Sequence, residues 1–354
     1  MNEVKLTSVE SPLLTESTSP RLVGATGVSG TLQSPSAQSP STPLGASLPG
    51  QEPDQPADWS SCPPRLHNHR WGSLELSWAA VSVAGNHRPT NQDAVVAAPP
   101  VFVVADGMGG HQFGEQASAA VVAAMTPLIG RRDLTVESIR QALDWAQQEI
   151  DQLTVRASTG QSRPANRTIR TAGATVAGLV LVRQDDQWQW LVVNVGDCRV
   201  YRLTEDDCEQ ITVDHTEVQE LLDQGAISPA EVALHPRRHV VTRALGAGSE
   251  AEPDYWLLAP GGRERWLICS DGLSGELPAD VVAAALEYDG EADQAATALL
   301  AAALRSRGRD NVSIIVVDAV FDPTTPAVPP LSRDSRMGTA QPCSSRSART
   351  VPRI

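Results

Sequence analysis

Aromatic residues are scarce in this chain, and the first 58 residues contain no Phe, Trp or Tyr. Proline, by contrast, is frequent at both ends. Residues 1–72 contain ten prolines, and residues 323–354 combine proline with Ser, Thr and Arg. Such segments bury too little apolar surface to offset the entropy of ordering a chain. We therefore predict a disordered Pro/Ser/Thr-rich N-terminal extension over residues 1–72 and a disordered Pro/Arg-rich tail over residues 323–354.

Cysteine, positive charge and long apolar runs are also in short supply. Five cysteines without close spacing favour neither a disulfide framework nor a thiolate zinc site, which fits a reducing cytoplasm. The formal net charge is −14, and residues 73–322 alone carry −16, so we expect no nucleic-acid partner. Apolar runs such as residues 176–182 are too short to span a bilayer. We expect a cytoplasmic protein that binds no membrane.

The remaining segment, residues 73–322, is long enough to bury one large core. Apolar residues recur at helical spacing over residues 136–153 and 292–303, and alanine is frequent in a third helical segment at residues 115–128. Short apolar runs predict strands at residues 74–81, 101–105, 175–182, 190–195, 199–203, 266–269 and 312–320. Because the middle strands are joined by short turns, we predict an α+β domain with antiparallel sheets and helices outside them.

Aspartates stand next to these predicted strands. A single Asp-Gly pair is most often only a turn. A group of carboxylates that converges, however, must bind cations or be kept apart, because burying unpaired charges costs several kcal/mol. Ligands that offer only oxygen favour hard divalent ions such as Mg²⁺ or Mn²⁺. The aspartates in question are Asp93, Asp106, Asp197, Asp271 and Asp310.

Eight short motifs follow one another between residues 85 and 313. They are GNHRPTNQD at 85–93, VADGMGGH at 104–111, GAT at 173–175, VGDCR at 195–199, DHT at 214–216, TRALG at 242–246, CSDGL at 269–273 and DNVS at 310–313. Their order resembles that of the metal-dependent protein phosphatases, in the form of the bacterial type 2C serine/threonine phosphatases. The resemblance covers about residues 76–320. It implies two antiparallel sheets in a central sandwich flanked by helices, an αββα arrangement.

The same resemblance implies a metal site that holds two divalent ions, Mn²⁺ or Mg²⁺. Asp106 would bridge the two ions, and the carbonyl of Gly107 would complete the ligands of one. Asp271 and Asp310 would hold the other ion. A third, weaker site would use Asp197 together with Asp271, and His239 would face that third ion.

The implied reaction is hydrolysis of phosphoserine or phosphothreonine by a water that bridges the two metals. Arg88 would bind the substrate phosphate, since a guanidinium offers paired donors to phosphate oxygens. Asp93 would orient metal-bound water. His111 would either protonate the departing oxygen or only order water. The implied partners are phosphorylated proteins and a cognate Ser/Thr protein kinase.

Gln92 departs from the resemblance, because the family usually has Glu there. The change removes a negative charge near the expected ions, so we predict weaker metal affinity. It also keeps a second interpretation open, in which the chain is a weak or inactive pseudophosphatase that binds phosphoproteins. A further departure is the Gly275-Glu276 pair, where relatives carry Asp at the first position, and it puts the third metal in question.

Two other segments have alternative interpretations. Residues 343–349 have the Cys-five-Arg spacing of cysteine-dependent phosphatases, but we take this spacing as chance, since the tail lacks the strand and glycines that such a loop needs. Residues 214–239 resemble the flap beside the family's catalytic cleft. Its Arg237, Arg238 and His239 either meet a phosphopeptide or belong to a solvated loop.

Overall fold

The fold was established from a computed structural model. It describes residues 63–109, 111–159, 172–184, 187–205, 207–246, 251–287 and 289–321, and the side chains of residues 111, 112 and 156–159 lie outside this description. The extension predicted at residues 1–72 is therefore described only from residue 63, and the tail predicted at residues 323–354 lies outside the described residues.

The described chain forms two antiparallel sheets. One sheet has six strands, and the other has five. The strands are β1 (His67–Trp71), β2 (Leu74–Val83), β3 (Asp93–Ala98), β4 (Val101–Met108), β5 (Gly173–Gln184), β6 (Gln187–Val195), β7 (Arg199–Leu203), β8 (Cys208–Gln210), β9 (Asp254–Leu258), β10 (Arg263–Cys269) and β11 (Val312–Phe321). The order is β1-β2-β11-β10-β7-β8 in the six-stranded sheet and β3-β4-β5-β6-β9 in the five-stranded sheet.

Seven helices accompany the sheets within the described ranges, and a short 3₁₀ turn at Thr126–Leu128 follows the first of them. The helices are α1 (His111–Met125), α2 (Val136–Thr159), α3 (Glu217–Asp223), α4 (Pro229–Val232), α5 (Asp271–Ser274), α6 (Ala279–Leu286) and α7 (Ala292–Ser306). The short helices α3 and α4 belong to the segment that resembles a flap.

Three apolar clusters lie between four layers. One cluster packs α1 and α2 against the five-stranded sheet. A second fills the space between the two sheets, where the rings of Trp190 and Trp266 lie 5.7 Å apart. The third packs α5, α6 and α7 against the six-stranded sheet. Each sheet is therefore covered on both faces, and the layers follow the αββα order that the sequence predicts.

All seven predicted strands are present, and four others were missed. The missed β1 has four exposed residues, His67 to Arg70, so it lacks the apolar alternation that identifies a strand. It pairs with β2, which places an ordered strand inside residues 67–72, where the sequence predicts only an extension. The other missed strands are β3, β8 and β9. Among the described helices, none combines the length and apolar character needed to cross a membrane.

Candidate metal centre

Two aspartates face each other across adjacent strands of the five-stranded sheet. Asp93, the first residue of β3, is paired in register with Asp106 of β4. On its other side, Asp106 is paired with Thr175 of β5. The sequence predicts that this strand ends at residue 105. In the structure β4 continues through Asp106 to Met108. The β-ladder therefore fixes the backbone of both carboxylate residues.

Hydroxyl groups hold the Asp93 side chain. The Ser313 hydroxyl donates a hydrogen bond of 2.7 Å to Oδ2 of Asp93, and it lies 2.8 Å from the Ser82 hydroxyl. The Asn91 amide donates to the same Ser82 hydroxyl, and Oδ1 of Asn91 accepts from the Asp93 backbone. Because Ser82 and Ser313 belong to β2 and β11, this network joins the two sheets at the candidate site.

Asp271 and Asp310 come from the six-stranded sheet. Asp271 is the first residue of α5, two residues after the end of β10, and Asp310 lies two residues before β11. Oδ2 of Asp310 accepts a 2.5 Å hydrogen bond from Nη2 of Arg88, and Oδ1 accepts one of 2.8 Å from the Asn311 backbone. Asn311 also ties this loop to the 85–93 motif, since its side chain bonds the backbone of Thr90 and of Gln92.

The turn between β6 and β7 carries the buried Asp197. Gly196 has a φ of 106°, a conformation that residues with a Cβ rarely adopt, so glycine is needed before Asp197. The Gly196 amide donates to Nδ1 of the buried His215, and Nε2 of His215 lies 3.2 Å from Asp254 Oδ2. His215 thus joins the Asp197 turn to the beginning of the flap.

Burial and mutual repulsion raise the pKa of these carboxyl groups. Desolvation is the largest cause for each, and it raises the pKa of Asp93 to about 7 and that of Asp271 to about 6. The pKa of Asp106 lies well above its usual range, first through burial and then through the charges of four neighbours: Asp93, Asp271, Asp197 and Asp310. The pKa of Asp197 is also raised well above that range by burial and by Asp271.

Two carboxylate oxygens are left without a partner, and this observation tests whether the site fits a cation. Oδ1 of Asp93 and Oδ1 of Asp271 are buried and accept no hydrogen bond from any residue that the structure describes. Other carboxyl groups of the cluster have partners within the protein: Asp271 shares a hydrogen bond with Asp106, and Asp310 accepts one from Arg88. Within the described ranges no three His, Cys, Asp or Glu side chains already form a ligand cluster. Hard divalent cations would satisfy the free oxygens, so the donor set fits Mg²⁺ or Mn²⁺.

Close backbone approaches explain two glycines at this centre. A Cβ on Gly107 would lie 2.0 Å from the carbonyl oxygen of Gly114 in α1, and one on Gly272 would lie 1.9 Å from that of Asn311. Neither position has room for a side chain. The predicted residues Arg88, Asp106, Gly107, Asp197, Asp271 and Asp310 together line one cleft of about 570 Å³.

The structure describes the side chains of all the predicted site residues except one, and it shows further residues at the site. His111 is the first residue of α1, but its side chain lies outside the described part of the chain. Sequence reasoning assigned no role to Ser313, which holds Asp93, or to Asn311, which links two loops. It also missed Arg309, which lines the cleft and pairs with Glu276. Asn311 and Ser313 belong to the DNVS motif at 310–313, and membership of this motif is the only sequence feature that points to either residue.

Comparison with known proteins places the chain among phosphatases. A profile described as Protein phosphatase 2C matches residues 87–311. The serine/threonine protein phosphatase PstP of Mycobacterium tuberculosis (strain H37Rv) is 34% identical over 257 residues, which are 70% of this chain and 46% of PstP. The chain thus spans about half the length of that relative. The serine/threonine phosphatase stp of Listeria innocua is 30% identical over 62% of this chain and 84% of its own length.

Solved structures give the same result for the fold. The crystal structure of the catalytic domain of PstP, in complex with two manganese ions, matches with a TM-score of 0.59 and 32% sequence identity. The match covers 70% of this chain and 99% of that domain. The two antiparallel sheets with their flanking helices are therefore those of the matched domain. With the family profile matching well over half of its length, the chain belongs to the protein phosphatase 2C family.

Proposed function

We propose that the protein is a metal-dependent serine/threonine phosphatase that hydrolyses phosphoserine and phosphothreonine in proteins. One observation carries the proposal. Buried carboxylates next to both sheets converge beside a cleft, and two of their oxygens have no partner among the described residues, while Arg88 lines the same cleft. A structural ion-pair network would satisfy those oxygens, whereas a cation site leaves them available.

The ligands for two ions would come from Asp106, Gly107, Asp271 and Asp310. Asp106 interacts with all the other carboxylates of the cluster, which suits a bridging ligand. Asp197 and Asp271 would serve a third, weaker site. Bound Mn²⁺ or Mg²⁺ would supply a hydrolytic water activated near neutral pH and positive charge for the phosphoryl oxygens. The manganese complex of the PstP domain supports this choice of ion.

The chain's own residues position the substrate and the water. Arg88 donates its guanidinium N–H groups to the phosphate, exchanging its contact with Asp310 for the substrate oxygens. Asp93 is fixed by the Ser313 hydroxyl through one oxygen, and its other oxygen accepts a hydrogen bond from water. His111 would either deliver a proton to the departing serine or threonine oxygen or only order water.

The substrates would be phosphorylated proteins, and a Ser/Thr protein kinase in the same cytoplasm would supply them. The names of PstP and stp support the serine/threonine class. The chain matches only part of PstP, so its partners are inferred from the chemistry of the cleft. No nucleic acid or membrane is needed for this reaction.

Phosphate release from p-nitrophenyl phosphate and from a phosphothreonine peptide tests the proposal. We expect turnover with Mn²⁺, none with EDTA, and none from Asp106→Asn under either condition. The second candidate is a pseudophosphatase, which Gln92 favours because it removes a carboxylate beside the cleft. Binding of the peptide without metal-dependent release would support that candidate and contradict ours.

A further inference from the structure

A second arginine lines the candidate cleft, on the loop between α7 and β11. Arg309 directly precedes Asp310, and 43% of its side chain is exposed. Arg88 contacts Asp310 in the same cleft, whereas Arg309 contacts a different carboxylate, that of Glu276. The two arginines therefore occupy separate positions at the site.

Glu276 holds Arg309 in a fixed orientation. Nε of Arg309 donates a 2.7 Å hydrogen bond to Oε1 of Glu276, and its backbone N–H donates a longer bond of 3.4 Å to the same oxygen. The Glu276 side chain is 5% exposed, so it cannot turn away into solvent. Within the described residues, the protein bonds of this guanidinium use Nε alone. Both Nη groups therefore remain available to a bound molecule.

His239 lies beside Gly275 in the wall of the same cleft. A Cβ on Gly275 would lie in contact with His239, 3.8 Å from Cε1, and too close to the Asp271 carbonyl oxygen, at 2.8 Å, so glycine leaves space next to the His239 ring. The pKa of His239 lies below its ordinary value, first because partial burial disfavours the imidazolium and then because of the charges of Arg238 and Arg309. Arg309 and His239 line the same cleft.

Arg309 therefore offers positively charged donors at a position separate from Arg88, the residue that would bind the substrate phosphate. Glu276 offsets one positive charge, while Arg309 and His239 line the same cleft from two segments of the chain. A planar guanidinium with both Nη groups available is suited to a carboxylate or a phosphate, which it can bind through two parallel hydrogen bonds.

We propose that Arg309 and His239, on either side of Gly275, form a second anion subsite that binds a carboxylate or a second phosphate flanking the phosphorylated residue of the substrate. The inference rests on the proposed function, because it assigns a substrate feature to the same cleft. The protein then prefers phosphoproteins with an acidic or doubly phosphorylated sequence around the target residue.

Phosphothreonine peptides of equal length provide the test, with the full chain and Mn²⁺. One peptide has neutral flanks, two carry Glu two residues before or after the phosphothreonine, and two carry a second phosphothreonine at those positions. Both kcat/KM and the Kd from fluorescence anisotropy are measured. For at least one anionic peptide we expect a preference over the neutral peptide of about tenfold, as for a charge-assisted hydrogen bond.

The readout is the ratio of kcat/KM for an anionic peptide to kcat/KM for the neutral peptide, and the corresponding ratio of Kd values. A general loss of activity does not change the ratio of kcat/KM values. We expect Arg309→Gln to reduce the ratio to about one and Arg309→Lys to retain part of it. Arg307→Gln is the matched control. It removes the same charge from an exposed residue two positions away that does not line the cleft, so the ratio should stay unchanged.

Each outcome decides the inference. No preference in the wild-type chain, or a preference that survives Arg309→Gln, overturns it. A preference confined to one anion type supports the subsite and identifies the ligand as a carboxylate or a phosphate. If no peptide and no p-nitrophenyl phosphate is hydrolysed, the proposed function has failed, and the anisotropy ratio then decides the subsite by itself.

Discussion

Asp93 of β3 lies directly opposite Asp106 of β4 in the five-stranded sheet. Like charges in such a cross-strand pair destabilise a sheet. Here burial adds to the repulsion and raises the pKa of both groups, that of Asp93 to about 7. A proton or a cation at this position relieves the repulsion, so both should change the stability of the fold.

The first prediction concerns stability against pH in the presence of EDTA. In the folded chain the pKa values of Asp93 and Asp271 are about 7 and 6, above the ordinary value of 3.8. The folded state therefore binds more protons than the unfolded chain between pH 4 and 7, and the free energy of unfolding falls as the pH rises through that window. We expect Tm to drop by about 5 °C between pH 5.5 and pH 7.5.

Two additions to this experiment identify the groups. Mn²⁺ at pH 7.5 should restore Tm, because the ion binds the charged carboxylates of the folded state only. The variant Asp271→Asn should show a smaller drop in EDTA, since one of the titrating groups is gone. A Tm that does not change with pH in either protein would contradict the prediction.

The second prediction separates the carboxylate cluster from the cysteine of the tail. Asp106→Asn and Asp271→Asn should each lower Mn²⁺-dependent turnover by at least about 10²-fold, because loss of a ligand costs more than the 10–100-fold typical of outer partners. Cys343→Ser should leave turnover unchanged, as Cys343 lies in a Pro-rich tail. Steady-state kinetics on a phosphopeptide checks both, and inactivation by Cys343→Ser would revive the cysteine-dependent alternative.

The third prediction concerns Gln92. A carboxylate in its place attracts a nearby divalent ion more strongly than an amide does. Gln92→Glu should therefore reach half-maximal activity at a lower Mn²⁺ concentration, by about threefold to tenfold. Gln92→Asn, which stays neutral, is the control. Equal Mn²⁺ dependence in wild-type and Gln92→Glu would show that this position does not sense the ions.

The fourth prediction concerns Arg88. Lysine keeps the charge but loses the paired planar donors that fit a phosphate. We expect Arg88→Lys to raise KM for a phosphopeptide by about tenfold, with a smaller change in the Mn²⁺ requirement. Kinetics at saturating Mn²⁺ measures this effect. A change in the Mn²⁺ requirement alone would instead mean that Arg88 acts through Asp310.

The fifth prediction concerns the hydroxyl that holds Asp93. Ser313→Ala removes the hydroxyl that donates to Oδ2 of a buried aspartate, whose Oδ1 accepts no hydrogen bond from the described residues. In EDTA at pH 7.5 we expect a loss of roughly 1–3 kcal/mol in the free energy of unfolding, measured with urea. Ser82→Ala is the matched control, because its hydroxyl contacts Ser313 and Asn91, not Asp93. A larger effect from the control would contradict the proposed role.

The sequence predicted the α+β class and all seven apolar strands, because buried strands have a strong apolar signal. It missed β1, where only Trp71 of the five residues is buried, and β9, where only Trp256 is buried. Such edge strands are stabilised by pairing with a neighbour, and one sequence does not reveal that neighbour. The strand β1 therefore begins at His67, before the predicted domain boundary at residue 73.

The sequence identified the site residues that belong to the ordered motifs. It did not identify residues whose role depends on a contact between distant parts of the chain. Arg88, Asp106, Asp197, Asp271 and Asp310 line one cleft, as expected. The pairing of Arg309 with Glu276 joins residues 33 positions apart, and no local pattern marks either residue. The roles of Arg88 and of the four aspartates in phosphate and metal binding are predictions that the experiments above test.

The order of strands along the chain has a consequence for how the protein can be divided. Both the first pair of strands and the last pair belong to the six-stranded sheet, and the four strands β3 to β6 of the other sheet follow in between. A cut anywhere between β3 and β10 would therefore leave both fragments with incomplete sheets. Neither fragment would retain the full set of aspartates, so activity from a split chain would require the two pieces to reassociate.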